Sequence, residues 1–419
     1  MKPGIFTRRS AFWVWTVILT ALPTLAQKPI HYEITDLGTL GGTFSAANDV
    51  NDNGQVAGLS TLPGDSVVHA FLWDRGLLAD LGTLGGPNSI AFAKMNARGE
   101  VAGFADTSVP DPLGEDFCGF GTNLVCLPSI WFHGRLNSLP ILNGDNGAAT
   151  SVNNRGQVTG ISETAVLDPT CTAPLLLQYR PVVWTNGKVH ELPTFGDPDG
   201  EAIVSNDRGQ IIGRSGDCTN PSFHALIWRN SQPTDMGNFG GAINHTPSDL
   251  NNRGQVVGSS DLPGDETGHA FLWEDGVLTD LGTLPGDFAS AAYGINSKGE
   301  IVGGSYDADG NSRPFLLDDG VMTDLNTLVS ADSPLYLLDA TGRINAHGQI
   351  AGIAFDTNTG EIHADLATPR KGEPSSSSSD TRRTMNVNLP DNIRAMLRRN
   401  FSLHHETGFL GVIEFSGSK

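Results

Sequence analysis

Four histidines (His69, His224, His269, His363) and five aspartates (Asp36, Asp80, Asp235, Asp280, Asp324) are the side chains most suggestive of chemistry in this chain. Imidazoles and carboxylates together could ligate zinc or exchange protons. Each set, however, recurs at one place of a repeating pattern, on separate units. Metal ligands must converge within a few ångströms, so no shared metal site is expected, and the aspartates read as structural. One stretch differs. Asp307-Ala308-Asp309-Gly310-Asn311-Ser312 offers alternating oxygen ligands of the kind a hard cation takes. It lacks the distal Glu of a full calcium loop, and Asp-Gly turns between strands are common. Asp307, Asp309 and Asn311 are therefore candidate calcium ligands, and no other cofactor is expected. No constellation in the sequence names a reaction.

A repeat sets these positions. The line N-x-x-G-[QE]-[VI]-x-G occurs seven times, at 51–58, 96–103, 153–160, 206–213, 251–258, 296–303 and 345–352. From Gly54 through Gly99, Gly156, Gly209, Gly254 and Gly299 to Gly348, the steps are 45, 57, 53, 45, 45 and 49 residues. A period of this size, built from short strand-like pieces, points to a propeller or a solenoid. The unit at 244–284 shows four short strands, with tight turns joining first to second and third to fourth. Frequent Gly and Pro exclude long helices. The leading Asn can bond its own backbone to start the turn, and Gly supplies a positive φ. The third strand carries Trp73, Trp131, Trp184, Trp228 and Trp273, each expected to pack between neighbouring units.

A fourth strand appears alone at 32–40, while the seventh unit stops after its third strand at 363–367. The orphan fits the vacancy. A solenoid would have no reason to split one unit between its ends, whereas a ring latched by a shared blade removes both exposed edges. The expected fold is all-β: a seven-bladed β-propeller of four-stranded blades over residues 31–368, closed by an N-terminal strand completing the last blade. The segments D-L-G-T-L at 280–284, N-N-R-G-Q-V-V-G at 251–258 and H-A-F-L-W at 269–273 resemble the HAF-type extracellular repeat of exported bacterial proteins. The likeness extends over roughly 31–368 and weakens at 127–131, 180–184 and 363–367, which read L-P-S-I-W, R-P-V-V-W and H-A-D-L-A. It implies an exported repeat protein, and neither a reaction nor a ligand.

Function is expected where the repeat is broken. In such blades the first–second and third–fourth turns share one face, and the remaining loops share the other. Insertions at 106–128, 163–178 and 329–340 all fall on this second, loop face, and loops at one end of a rigid scaffold commonly carry binding. Cys118 and Cys126 share the first insertion; Cys171 and Cys218 lie in loops of adjacent blades, so the pairs Cys118–Cys126 and Cys171–Cys218 are predicted. Candidate ligand residues on this face are Asp65, Asp116, Asp168, Asp199, Asp217, Asp265 and Asp287. The turn face instead carries Arg98, Arg155, Arg208, Arg253, Lys298 and His347, which makes the ring polar end to end.

The chain ends read as processing and tail. Lys2, Arg8 and Arg9 precede an apolar run at 11–22 and small residues before Gln27, so 1–26 reads as a signal peptide, leaving no membrane span after its removal. Residues 369–383 read as a Ser-rich linker and 384–419 as a basic tail expected to be disordered. A formal charge of −20 argues against nucleic acid. The expectation is an exported binding or display scaffold, extracellular or periplasmic, whose partner is a glycan, peptide or protein. The alternative, a propeller hydrolase or lyase on an extracellular polymer, needs an acid and a base converging near the axis.

Overall fold

The computed structural model describes residues 30–371 apart from Gly310 and Ala331; residues 1–29, with the segment read as a signal peptide, and the region from 372 onward, with the rest of the linker and the tail, lie outside the described residues. Within these bounds the chain forms seven four-stranded antiparallel sheets, with a single 3-10 turn at Leu325–Leu328 as its helical content. Blade one is Ser45–Val50, Val56–Thr61, Val68–Asp74 and Leu77–Asp80, and the next five blades repeat this order from the inner strand outward. The seventh joins Leu335–Asp339, Ile350–Asp356 and Ile362–Lys371 to Ile30–Asp36, with Ile30 opposite Lys371 and Asp36 opposite Asp365. This is the closed seven-bladed propeller expected from the split repeat. Pairing continues through Lys371, three residues beyond the boundary read from the pattern.

Local chemistry explains the strands. In blades one to six the third and fourth strands meet at two residues with positive φ, such as Arg75-Gly76 and Asp275-Gly276. That is the turn whose twist suits a hairpin. Between blades lie the apolar clusters. Trp131 packs with Ala57 and Ala70 of the preceding blade, Trp228 with Val183 and Leu192, and Trp273 with Ile212 and Ala225. Trp184 and Trp228 also donate their Nε1–H to the carbonyls of Pro140 and Pro193, at 2.6 and 2.7 Å.

In four blades the histidine of the repeat pairs with the aspartate of the facing strand. His69 meets Asp80, His224 meets Asp235 and His269 meets Asp280, across the third and fourth strands at 2.8–3.0 Å. His363 of the last blade meets Asp36 of the N-terminal strand at 3.0 Å, so the same contact fastens the ring. Arg180–Glu191 and Arg313–Asp324 occupy the equivalent places in blades three and six.

Candidate functional site

Each N-x-x-G turn ends an inner strand at the axis. The side-chain Oδ1 of Asn51 accepts the N–H groups of Asn53 and Gln55, the backbone bonds that start the turn. Its Nδ2 has two further duties. It donates to Gln55 Oε1 of its own turn at 2.8 Å and to the carbonyl of Asn96 in the next blade at 3.1 Å. The same donation to the following blade runs from Asn96 to Asn153, Asn206, Asn251, Asn296 and Asn345, and from Asn345 back to Asn51, at 2.9–3.3 Å. Seven amides thus close a ring around the axis. Only Asn offers two acceptor sites and two donors on so short a stem, which explains the first letter of the motif, while the [QE] place supplies the acceptor. The two glycines have separate causes. Gly54 sits at φ +76°, and a Cβ on Gly58 would lie 2.0 Å from the Ala46 carbonyl. In six blades the inner strand carries a β-bulge beside that carbonyl, as between Ala47 and Asp49.

Within the ring of amides lies a cavity of about 150 Å³, lined by residues of all seven blades. Two places before each ring Asn stand Asp49, Lys94, Ser151, Val204, Asp249, Gly294 and Arg343, and the four charged ones line the cavity. Lys94 of blade two reaches across to Asp249 of blade five at 2.9 Å, and Asp249 also accepts the N–H of Ile295. Arg343 donates Nε to the Tyr293 carbonyl and Nη2 to the Ser248 carbonyl, at 3.3 and 2.9 Å, and leaves Nη1 buried without a hydrogen-bond partner. Asp49 accepts the Met95 N–H at 2.8 Å. Burial pushes its carboxyl up to about 6, against the opposing charges of Arg343 and Lys94. Blades two and seven, which supply the cations, each have one extra residue between the inner-strand carbonyl that faces the last motif Gly (Ile90, Asp339) and the ring Asn.

This axial mouth opens on the turn face, not on the face expected to bind. The candidate aspartates of the loop face are placed otherwise. Asp65 accepts from Thr43 N–H and the Thr43 and Thr61 hydroxyls, and Asp265 accepts from Ala242 N–H, so both staple neighbouring loops. Asp116 holds Gly121 N–H, Asp217 holds Thr219 and Asn220, and Asp287 pairs with Arg313 at 2.7 Å. The structure brings together Asp168 and Asp199, of blades three and four. Burial and the neighbouring Asp168 hold Asp199 up to about 7. Asp307 accepts from Asp309 N–H, Asn311 N–H and Asn311 Nδ2, so the candidate calcium residues form one turn in which N–H groups engage the Asp307 oxygens.

Both predicted disulfides, Cys118–Cys126 and Cys171–Cys218, are formed. The two insertions also lock to each other: Glu115 accepts the N–H groups of Leu176 and Leu177, and Asp116 N–H donates to the Pro174 carbonyl. Asn146 Nδ2 bridges Asp111 and Glu163 beneath them. Burial, then the charge of Glu115, pushes Glu163 up to about 8. Phe120 of the first insertion meets Phe104 in a tilted ring contact, and Phe104 meets Phe92, just after the inner strand, in another.

Fold and site together define a closed seven-bladed β-propeller with a charged axial mouth on its turn face. No family model matches the chain, and no curated protein matches it. Solved structures resemble it distantly. TolB from Acinetobacter baumannii is 12% identical with a TM-score of 0.42, covering 76% of this chain and 64% of its own. A mutant Aleuria aurantia lectin in complex with Fucalpha1-6GlcNAc is 9% identical at 0.34, over 81% and 100%. The PQQ-bound aldose sugar dehydrogenase from Streptomyces coelicolor is 10% identical at 0.33, over 82% and 100%. The chain spans about 64% of the length of the TolB chain. Likenesses of this size carry no argument about what the protein binds or does.

Proposed function

We propose that the protein is an exported, HAF-type binding scaffold that holds a protein or peptide partner on its loop face. The supporting observation is the distribution of exposed apolar side chains. Among the described residues, eleven large hydrophobic side chains are exposed. Eight of them lie on the loop face: Val109, Leu113, Val166, Leu167, Phe195, Phe223, Ile243 and Phe288. Exposed apolar groups gathered on one face mark an interaction surface more often than scattered ones do. Val109 and Leu113 sit on the first insertion, Val166 and Leu167 on the second, and the insertions are held rigid by each other and by their disulfides. Rigid loops lower the entropic cost of capture. Two disulfides suit an oxidising compartment, and no helix among the described residues is long and apolar enough to cross a membrane.

The polymer-hydrolase alternative is disfavoured by the axial carboxylates. Asp249 pairs with Lys94, Asp207 is bonded by the side chains of Asn154 and Asn252, and Asp52 accepts the Ala346 N–H, so Asp49 stands in the cavity without a second uncommitted carboxylate to work with. The test is cross-linking of the secreted protein to its neighbours, compared with the double variant Val109→Ser, Leu167→Ser. Both positions are exposed, so melting should move little, while the cross-linked partner band should fall about tenfold. Cross-linking unchanged by the double variant would remove the loop face from the interaction.

A further inference from the structure

The axial mouth lies on the opposite face and calls for a different ligand. Of its four inner charges, Lys94 and Asp249 satisfy each other at 2.9 Å. Arg343 is 7% exposed, bonds two neutral carbonyls and has Nη1 unpartnered. A buried guanidinium is normally compensated by an anion within hydrogen-bonding reach. Asp49, 3% exposed, acts on Arg343 as a charge from further away, its own hydrogen bond coming from the Met95 N–H. One cation and one anion therefore border the same cavity, each lacking a close ion partner among the described residues. At the rim stand the acids Asp52 and Asp207, while Arg155, Arg208 and Arg253 are exposed on the same turn face outside the cavity lining.

We propose that this cavity binds a small zwitterion, a molecule with carboxylate and ammonium groups close together as in a free α-amino acid. The carboxylate accepts from the Arg343 guanidinium, whose sealed Nη1 turns toward the cavity as the ligand enters, and the ammonium donates to Asp49. The volume, about 150 Å³, admits one small molecule and not a polymer. The purely structural alternative is that Arg343 serves only to tie blades five, six and seven through the Ser248 and Tyr293 carbonyls.

Calorimetry and thermal shift on the mature chain separate the two. The probes are glycine, alanine, serine and glutamate, with acetate and methylammonium as half-ligands. Glycine or alanine should bind and raise the melting temperature, with either half-ligand weaker by about tenfold or more, the weight of one charge-assisted bond. Asp49→Asn keeps the side-chain shape and the Met95 contact. It should fold, bind the zwitterions about tenfold more weakly, and leave acetate unaffected. Arg343→Met should abolish binding of both acetate and the amino acids. The proposal is overturned if none of the four amino acids binds, if acetate binds as tightly as glycine, or if Asp49→Asn leaves the affinities unchanged.

Discussion

At the scale of single residues, the ring asparagines and the buried carboxyls dominate. Asn206 accepts from Arg208 and Gln210 N–H groups and donates to Gln210 and to the Asn251 carbonyl. Asn206→Ala strands these groups at a buried blade junction and should cost about 2–3 kcal/mol in urea unfolding. Asn137→Ala, on an exposed outer strand, should cost less than about 0.5 kcal/mol. Equal stability of the two variants would show that the ring of amides is dispensable. The carboxyls give a pH dependence. Burial holds Asp106 up to about 6, Asp199 and Asp339 to about 7 and Glu163 to about 8. Between the ordinary carboxylate range and these values, the folded chain keeps protons that the unfolded chain has released, so stability falls as pH rises. His363 is raised chiefly by its bond to Asp36, and its contribution is likewise lost with rising pH. Asp36 is lowered, and its contribution is lost only in acid, below this window. The melting temperature should therefore be higher at pH 5 than at pH 8, and Glu163→Gln should raise the pH 8 value and flatten the slope. A melt that strengthens from pH 5 to pH 8 would contradict the assignment.

At the scale of elements, the N-terminal strand carries the closure. Ile30–Asp36 covers the open edge of Ile362–Lys371 along seven paired positions and supplies the carboxylate for His363. Deleting residues 28–42 leaves a three-stranded last blade and removes Leu37 and Leu40 from the cluster holding Ala47, Val50, Ala364 and Leu366 together. The expected result is loss of a single cooperative transition in scanning calorimetry. An unchanged melt would mean that the strand is ornamental. The disulfides act more locally. Chain entropy assigns the nine-residue loop about 2.6 kcal/mol and the 48-residue loop about 4 kcal/mol.

For the molecule as a whole, the propeller separates two kinds of surface. Insertions lengthen only the loops of one face; on the other, the N-x-x-G turns are held by the side-chain bonds of their Asn and the third–fourth turns of blades one to six are two-residue turns with positive φ. The loop face is thereby free to gather apolar side chains. The turn face keeps its geometry and can hold a small site at the axis, where seven inner strands converge. The cross-axial Lys94–Asp249 pair joins opposite sides of the ring within the mouth.

Strand number, turn positions, the split blade and both disulfides were legible from the chain alone: Gly54 must take a positive φ and Cys118 and Cys126 share one loop, while the split blade and Cys171–Cys218 follow from the order of the repeats. The second donor of each ring Asn was not, since its acceptor lies 45 residues or more away in sequence and becomes adjacent only when blades stack. Lys94, Arg343, Asp49 and Asp249 stand two places before a ring Asn, where residue type changes from unit to unit and the repeat pattern is silent. The extra residue in blades two and seven was a visible signal, but its meaning depends on alignment to the inner-strand carbonyls. The acidic loop-face residues show the converse: Asp65 and Asp265 are exposed in pattern, yet bonded to Thr43 and Ala242 across loops. Sequence periodicity determines which strands pair, because pairing stays within one repeat except at the closure, where the split repeat marks both partners. Only the closed ring decides which charges meet at the axis, because that meeting joins residues as far apart as Lys94 and Asp249.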